Sequence, residues 1–174
     1  DYIKDFLGKL DNNLFLYDPE GETTSDKVIE VIYFAAEKLN VKLMVIDSLM
    51  KCGINEDDLN KQKSFANKLS VAARDLDIHI FLVAHSRKTA NENDWANKFD
   101  VAGSANLTNL VDNVFSIHRN KAREEEVLNG SLDTELMNQP PCSVYLLKQR
   151  HGRGIETRWG FGFKPETFSY TETW

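Results

Sequence analysis

Two short apolar runs each close on a polar residue able to do chemistry: Val41-Lys-Leu-Met-Val-Ile-Asp47-Ser48 and Ile78-His-Ile-Phe-Leu-Val-Ala-His85-Ser86. Runs of that length without clean alternation read as strands covered on both faces of a parallel sheet. In open α/β sheets ligands bind beyond the carboxyl ends of the strands, so Asp47 and His85 stand on the chemical edge. An apolar strand ending in Asp can hold Mg²⁺ opposite a triphosphate; the plainer alternative is an Asp that caps the next helix. His85 alone reads equally as a loop histidine bonded to backbone. A third concentration of signal is Lys148-Gln-Arg150-His-Gly-Arg-Gly154. Lysine and arginine two apart on a strand face the same way, and arginine's planar fork binds anionic oxygens bidentately. A solvated hairpin tip is the alternative there. Lys51, Arg87 and Lys88 begin the loops just past the two strand ends, where they could touch a phosphate backbone or simply add solubility.

The elements that must position these residues alternate. Leu14–Tyr17 reads as a short strand, and Asp18-Pro19-Glu20-Gly21 as a turn. Thr24 or Ser25 caps a helix with apolar positions Val28, Val31, Ile32, Ala35, Ala36 and Leu39, stopped by Asn40. A polar loop from Lys51 to about Asn60 leads to a second helix with Phe65, Leu69, Ala72, Ala73 and Leu76 on its buried face. Strand, crossover helix and strand in this order predict right-handed parallel units, which put Asp47 and His85 on one rim. Further on, Gly103–Asp112 suggests a short helix and Val114–His118 a strand. Lys121–Pro141 reads as an exposed charged loop. Cys142–Leu147, Ile155–Phe163 and Phe168–Tyr170 read as closing strands, added antiparallel.

At 174 residues the chain has the length of one domain, residues 1–174, with a single sizeable core. No apolar run approaches the roughly 20 residues of a membrane helix. Two cysteines suit a reducing interior rather than a disulfide framework, and with the four histidines they show no metal-ligand spacing. The net charge of -6 excludes a protein that coats nucleic acid by bulk charge. A local basic edge survives, since Lys148, Arg150, Arg153, Arg158 and Lys164 face only Glu156 within residues 143–164. No G-x-x-x-x-G-K-[ST] occurs; the nearest run, Gly8-Lys9-Leu10, lacks the upstream glycine and the hydroxyl. The first methionine is Met44, so a longer parent protein is expected.

Taken in order, Leu14–Tyr17, Val45-Ile-Asp47-Ser48, Val83-Ala-His85, Asp100-Val-Ala-Gly103-Ser104, Leu110-Val-Asp112, Ile117-His-Arg119-Asn120 and Leu147-Lys148-Gln-Arg150 resemble a known pattern. It is the ATPase domain of the DnaB-like hexameric replicative helicases, especially the phage primase–helicase and mitochondrial Twinkle branch. The resemblance implies a RecA-like three-layer α/β domain, with a mostly parallel central sheet and antiparallel strands at the C-terminal end. It further implies the second half of that core, without its Walker A segment and catalytic glutamate. Asp47 would be the Walker B acid that assists Mg²⁺, and His85 the γ-phosphate sensor. Lys148 and Arg150 would reach a neighbouring subunit's ATP (or another NTP), Arg150 as arginine finger. Arg119 would stack on the base, with Tyr170 or Phe168 opposite. Asn109, a further candidate nucleotide contact, stands where the family commonly has a longer glutamine, and Ala102 where it has an arginine. Lys51, Arg87 and Lys88 would line a channel gripping single-stranded DNA. The implied whole is an ATP-dependent DNA helicase of DNA replication, a ring of six with a fused or associated primase. It would work in a bacterial or phage-infected cytoplasm, ahead of a mitochondrial nucleoid, and this fragment alone would be silent. A non-helicase RecA-superfamily ATPase and a non-catalytic assembly or binding module are the competing readings.

Overall fold

Thr24 and Asn40 bracket the first long helix as their chemistry requires. The computed structural model describes residues 2–11, 13–55, 57–85, 105–130, 134–152 and 157–172. After helix α1 (Tyr2–Leu10), helix α2 runs Ser25–Leu39. Thr24 Oγ1 accepts from the Lys27 N–H at 3.2 Å, and Asn40 turns left-handed at φ 54° to end the helix. The turn-forming αL residue leads into strand β1 (Leu43–Ile46). Helix α3 (Leu59–Asp75) is capped by Asp58, whose Oδ1 accepts from the Lys61 N–H at 3.0 Å. That bond holds the Asp58 carboxyl below its ordinary range. Strand β2 (His79–Leu82) follows, parallel to β1 with Ile46 opposite Leu82.

Ile32, Phe65, Ala66, Leu69 and Ala72 form the core beneath this parallel pair, with Met44, Ile46, Ile80 and Leu82 packed on it. The opposite face of the pair is open: Leu43, Val45 and Phe81 are exposed. The both-faces-covered expectation therefore holds for one face only among the described residues. On α2 the buried stripe turns through Ile29, Ile32 and Tyr33 rather than toward Leu39, which is exposed.

Helix α4 (Ala105–Leu110) inserts Leu107 into the same core and hands the chain to a four-stranded antiparallel sheet. Its order is β3 (Asn113–Arg119), β4 (Cys142–Gln149), β5 (Thr157–Lys164) and β6 (Ser169–Glu172). The fold is thus α/β, with a parallel pair followed by antiparallel strands. The Lys148 strand carries an irregularity: Val114 pairs with Lys148 but Phe115 with Leu146, leaving Leu147 as an extra residue. Such a bulge re-aims the side chains beside it.

Two sequence expectations are corrected. Leu14–Tyr17 is not a strand, because no described strand offers it a ladder; Leu16 stands 87% exposed. Lys121–Pro141 is not a plain loop but holds helices α5 (Lys121–Asn129) and α6 (Thr134–Met137). Asn120 caps α5 by accepting from the Arg123 N–H at 3.1 Å, and Gly130 ends it at φ 69°. Gly8-Lys9-Leu10 lies inside α1, where it forms helix rather than a phosphate-cradling loop.

Candidate functional site

Strand adjacency brings the two chemical strand ends onto one rim. Asp47 follows β1 by one residue and His85 follows β2 by three, in the register that pairs Ile46 with Leu82. The backbone between them is pinned: the Val83 N–H donates to Ile46 O, and the Leu49 N–H to Val83 O, both at 2.9 Å. Ser48 and Leu49 are buried beside Asp47, and a 3₁₀ turn (Leu49–Cys52) buries Cys52 as well. Burial pushes the Cys52 thiol up, so it serves packing rather than nucleophilic chemistry. Gly53 ends the turn at φ 67°, and a Cβ there would stand 2.8 Å from Thr23 O. Only glycine combines that angle with that approach. The Asp47 and His85 side chains themselves face solvent from this rigid backbone. Lys51 is exposed on the turn; Arg87 and Lys88 lie outside the described residues.

Among the described residues no group of three or more His, Cys, Asp and Glu could hold a metal by itself. A lone rim carboxylate fits a different case, Mg²⁺ carried in by nucleotide phosphates, which takes one or two protein carboxylates.

A second constellation joins α4 to β4. Lys148 Nζ donates to three carbonyls at the end of α4: Thr108 O at 2.8 Å, Asn109 O at 3.0 Å and Val111 O at 2.8 Å. An ammonium has three hydrogens, and these are the unpaired carbonyls a helix end leaves behind. Arg150 Nη2 donates to Asn109 O at 2.7 Å, while Nη1 pairs with Asp112 Oδ1 at 3.1 Å. The Arg150 N–H also donates to Asp112 O at 2.8 Å. The two-residue spacing thus does put Lys148 and Arg150 against one partner, the end of α4. As folded here, Lys148 is directed at its own chain's helix, with Arg150 at its border.

The third set lies at the other end of the antiparallel sheet. Arg119 makes a bidentate pair with Glu124 of α5, Nε–Oε1 at 2.6 Å and Nη2–Oε2 at 2.7 Å. This hydrogen bonding and charge raise the Arg119 guanidinium and lower the Glu124 carboxyl from their ordinary values. Strand register sets Arg119 in line with Cys142, Phe161 and Glu172, on the face that also carries Phe163 and Tyr170. Tyr170 contributes to the Arg119 environment. Phe163 lies 5.0 Å from Tyr170 with the rings tilted by 45°, and edge-on at 6.2 Å from Phe168, all three exposed.

Sequence reasoning missed Asp112 and Glu124 as partners. Asp112 lies 38 positions from Arg150, so no local spacing could mark it. Glu124 had a weak signal, as the first acid of a run five residues past Arg119.

No family model and no curated protein matches the sequence. Solved structures do. A DnaB-like replicative helicase, solved in a study of its interactions with primase, is 15% identical with a TM-score of 0.64, over 91% of this chain and 38% of its own. A solved ATPase domain is 16% identical with a TM-score of 0.73, over 98% of this chain and 59% of its own. A KaiC-like protein from the hyperthermophilic archaeon Pyrococcus horikoshii is 13% identical with a TM-score of 0.53, over 86% and 56%. The chain therefore has the fold of these solved structures and spans less than two thirds of each.

Proposed function

We propose that residues 1–174 supply the Walker B acid, phosphate sensor and arginine finger of a RecA-like ATPase, and that the whole protein is a ring-forming DNA helicase. The observation that supports it most is the shared rim of Asp47 and His85 in a chain with the fold of helicase ATPase domains. Asp47 would hold Mg²⁺ together with the nucleotide's own oxygens, and the ion would supply charge neutralisation for phosphoryl transfer. His85 reads the γ-phosphate and passes its state to the loop that follows. Arg150 serves a neighbouring subunit's nucleotide. Lys148 fixes the helix end on which Arg150 rests. Arg119, held flat by Glu124, stacks on the base with Tyr170 opposite. Lys51, Arg87 and Lys88 meet single-stranded DNA phosphates in the ring's channel, in a cytoplasmic replication setting with a primase as partner. No described helix is long and apolar enough to cross a membrane.

The likeness to a KaiC-like protein favours a second reading, an ATPase of the same fold that never unwinds DNA. ATP hydrolysis by the protein extended upstream, with and without single-stranded DNA, separates the two. DNA stimulation is the expected result. Hydrolysis indifferent to DNA moves the assignment to the second reading, and an assembled protein silent in both conditions sinks both in favour of a binding module.

A further inference from the structure

The end of α4 is built as a seat for one guanidinium. Leu107, a turn before it, is 5% exposed in the core that also holds Leu49, two residues after Asp47. Lys148 then fixes the last carbonyls of α4 from β4, so the segment Asn109–Asp112 is tied to both sheets. On that segment Arg150 has two acceptors, Asn109 O and the Asp112 carboxylate. The Arg150 side chain stays 43% exposed, and these two contacts leave donors of its five-donor fork for a further partner. A carboxylate on an exposed arginine adds little to stability, but it removes rotamer freedom that binding would otherwise have to remove. His151 Nε2 lies 3.6 Å from the same Asp112 oxygen, beyond hydrogen-bond distance, and stays 80% exposed.

We infer that Asp112 is a positioning residue for Arg150: it sets the guanidinium in the orientation in which it meets a neighbouring subunit's phosphate. This rests on the arginine-finger reading above. The effect of Asp112 passes through its contact with Arg150.

The test is steady-state ATP hydrolysis by the complete, assembled protein carrying Asp112→Asn, Asp112→Glu, Arg150→Ala, or Asp112→Asn with Arg150→Ala. Ordering one long side chain predicts a loss in kcat of roughly two- to twelvefold for Asp112→Asn at unchanged KM. Asp112→Glu restores most of it, and Asp112→Asn costs nothing more once Arg150 is gone. Wild-type kcat in Asp112→Asn overturns the inference. So does an equal further loss on the Arg150→Ala background, which marks a structural effect instead. An Arg150→Ala protein that hydrolyses like wild type sinks the finger reading and this inference with it. That outcome is distinct from a silent Arg150→Ala beside an unaffected Asp112→Asn, which sinks only the positioning role.

Discussion

The parallel pair and the antiparallel sheet hold their charged residues in opposite ways. At the rim of β1 and β2 the backbone is fixed, by Val83 bonding on both sides and by buried Ser48, Leu49 and Cys52, while the Asp47 and His85 side chains face solvent. In the antiparallel sheet the side chains themselves are tied: Lys148 to three carbonyls, Arg150 to Asn109 and Asp112, Arg119 to Glu124. Topology explains the difference. Parallel strands end in loops, where a short polar residue needs only a rigid stem. Antiparallel pairing brings distant segments side by side, so Lys148 finds an acceptor 40 positions away. The first region places groups by backbone, the second by side-chain contact.

The largest effect expected from this contrast lies in the core under the parallel pair. Phe65→Ala, at a side chain 1% exposed, should cost about 3–5 kcal/mol in urea unfolding. Ile117→Ala, on the open face of β3 at 75% exposure, should stay within about 0.5 kcal/mol. Equal losses would erase the distinction between a packed and an open region. A smaller effect sharpens the side-chain half. Lys148→Met leaves three helix-end carbonyls without their ammonium and should cost about 1–3 kcal/mol, with faster amide exchange around Asp112–Val114. Asp47→Asn should shift stability by no more than about 0.5 kcal/mol. If Asp47→Asn destabilises as much as Lys148→Met, the rim acid is structural and the contrast fails.

Most of the first region was legible because its signals are local. Thr24, Asn40 and the spacing of Phe65, Leu69 and Ala72 each act within one or two helical turns, and both helices formed where those residues put them. Leu14–Tyr17 shows the limit: a strand is a relation between two segments, and apolar content cannot create the second one. In α5 the charged run Arg123–Glu126 hid a helix whose punctuation, Asn120 and Gly130, was present in the sequence. For the second region the spacing put Lys148 and Arg150 on one face, and what they meet there is set by a bulge at Leu147 and by the end of α4. Neither leaves a periodic trace. Asp112 belongs to the same class, an acceptor chosen by tertiary approach, whereas Glu124 lies only five residues past Arg119.

The smallest expected effect concerns Glu124 and is read by titration rather than by stability. Hydrogen bonding from Arg119 holds the Glu124 carboxyl below its ordinary 4.5. A folded-state value below the unfolded one means the pair contributes fully above about pH 4.5 and is lost as pH falls through the depressed value. Arg119 is 73% exposed, so global stability should barely register the loss. Carbon-detected NMR should therefore show a Glu124 midpoint under 4.5, with the Arg119 Nε signal slow to exchange above it and averaged below. Glu124→Gln should give the averaged signal already at pH 7. A midpoint at the ordinary carboxyl value would mean that Arg119 is not held in solution. Side-chain ties would then reduce to the α4 end alone, and the antiparallel sheet would resemble the parallel rim more than the structure suggests.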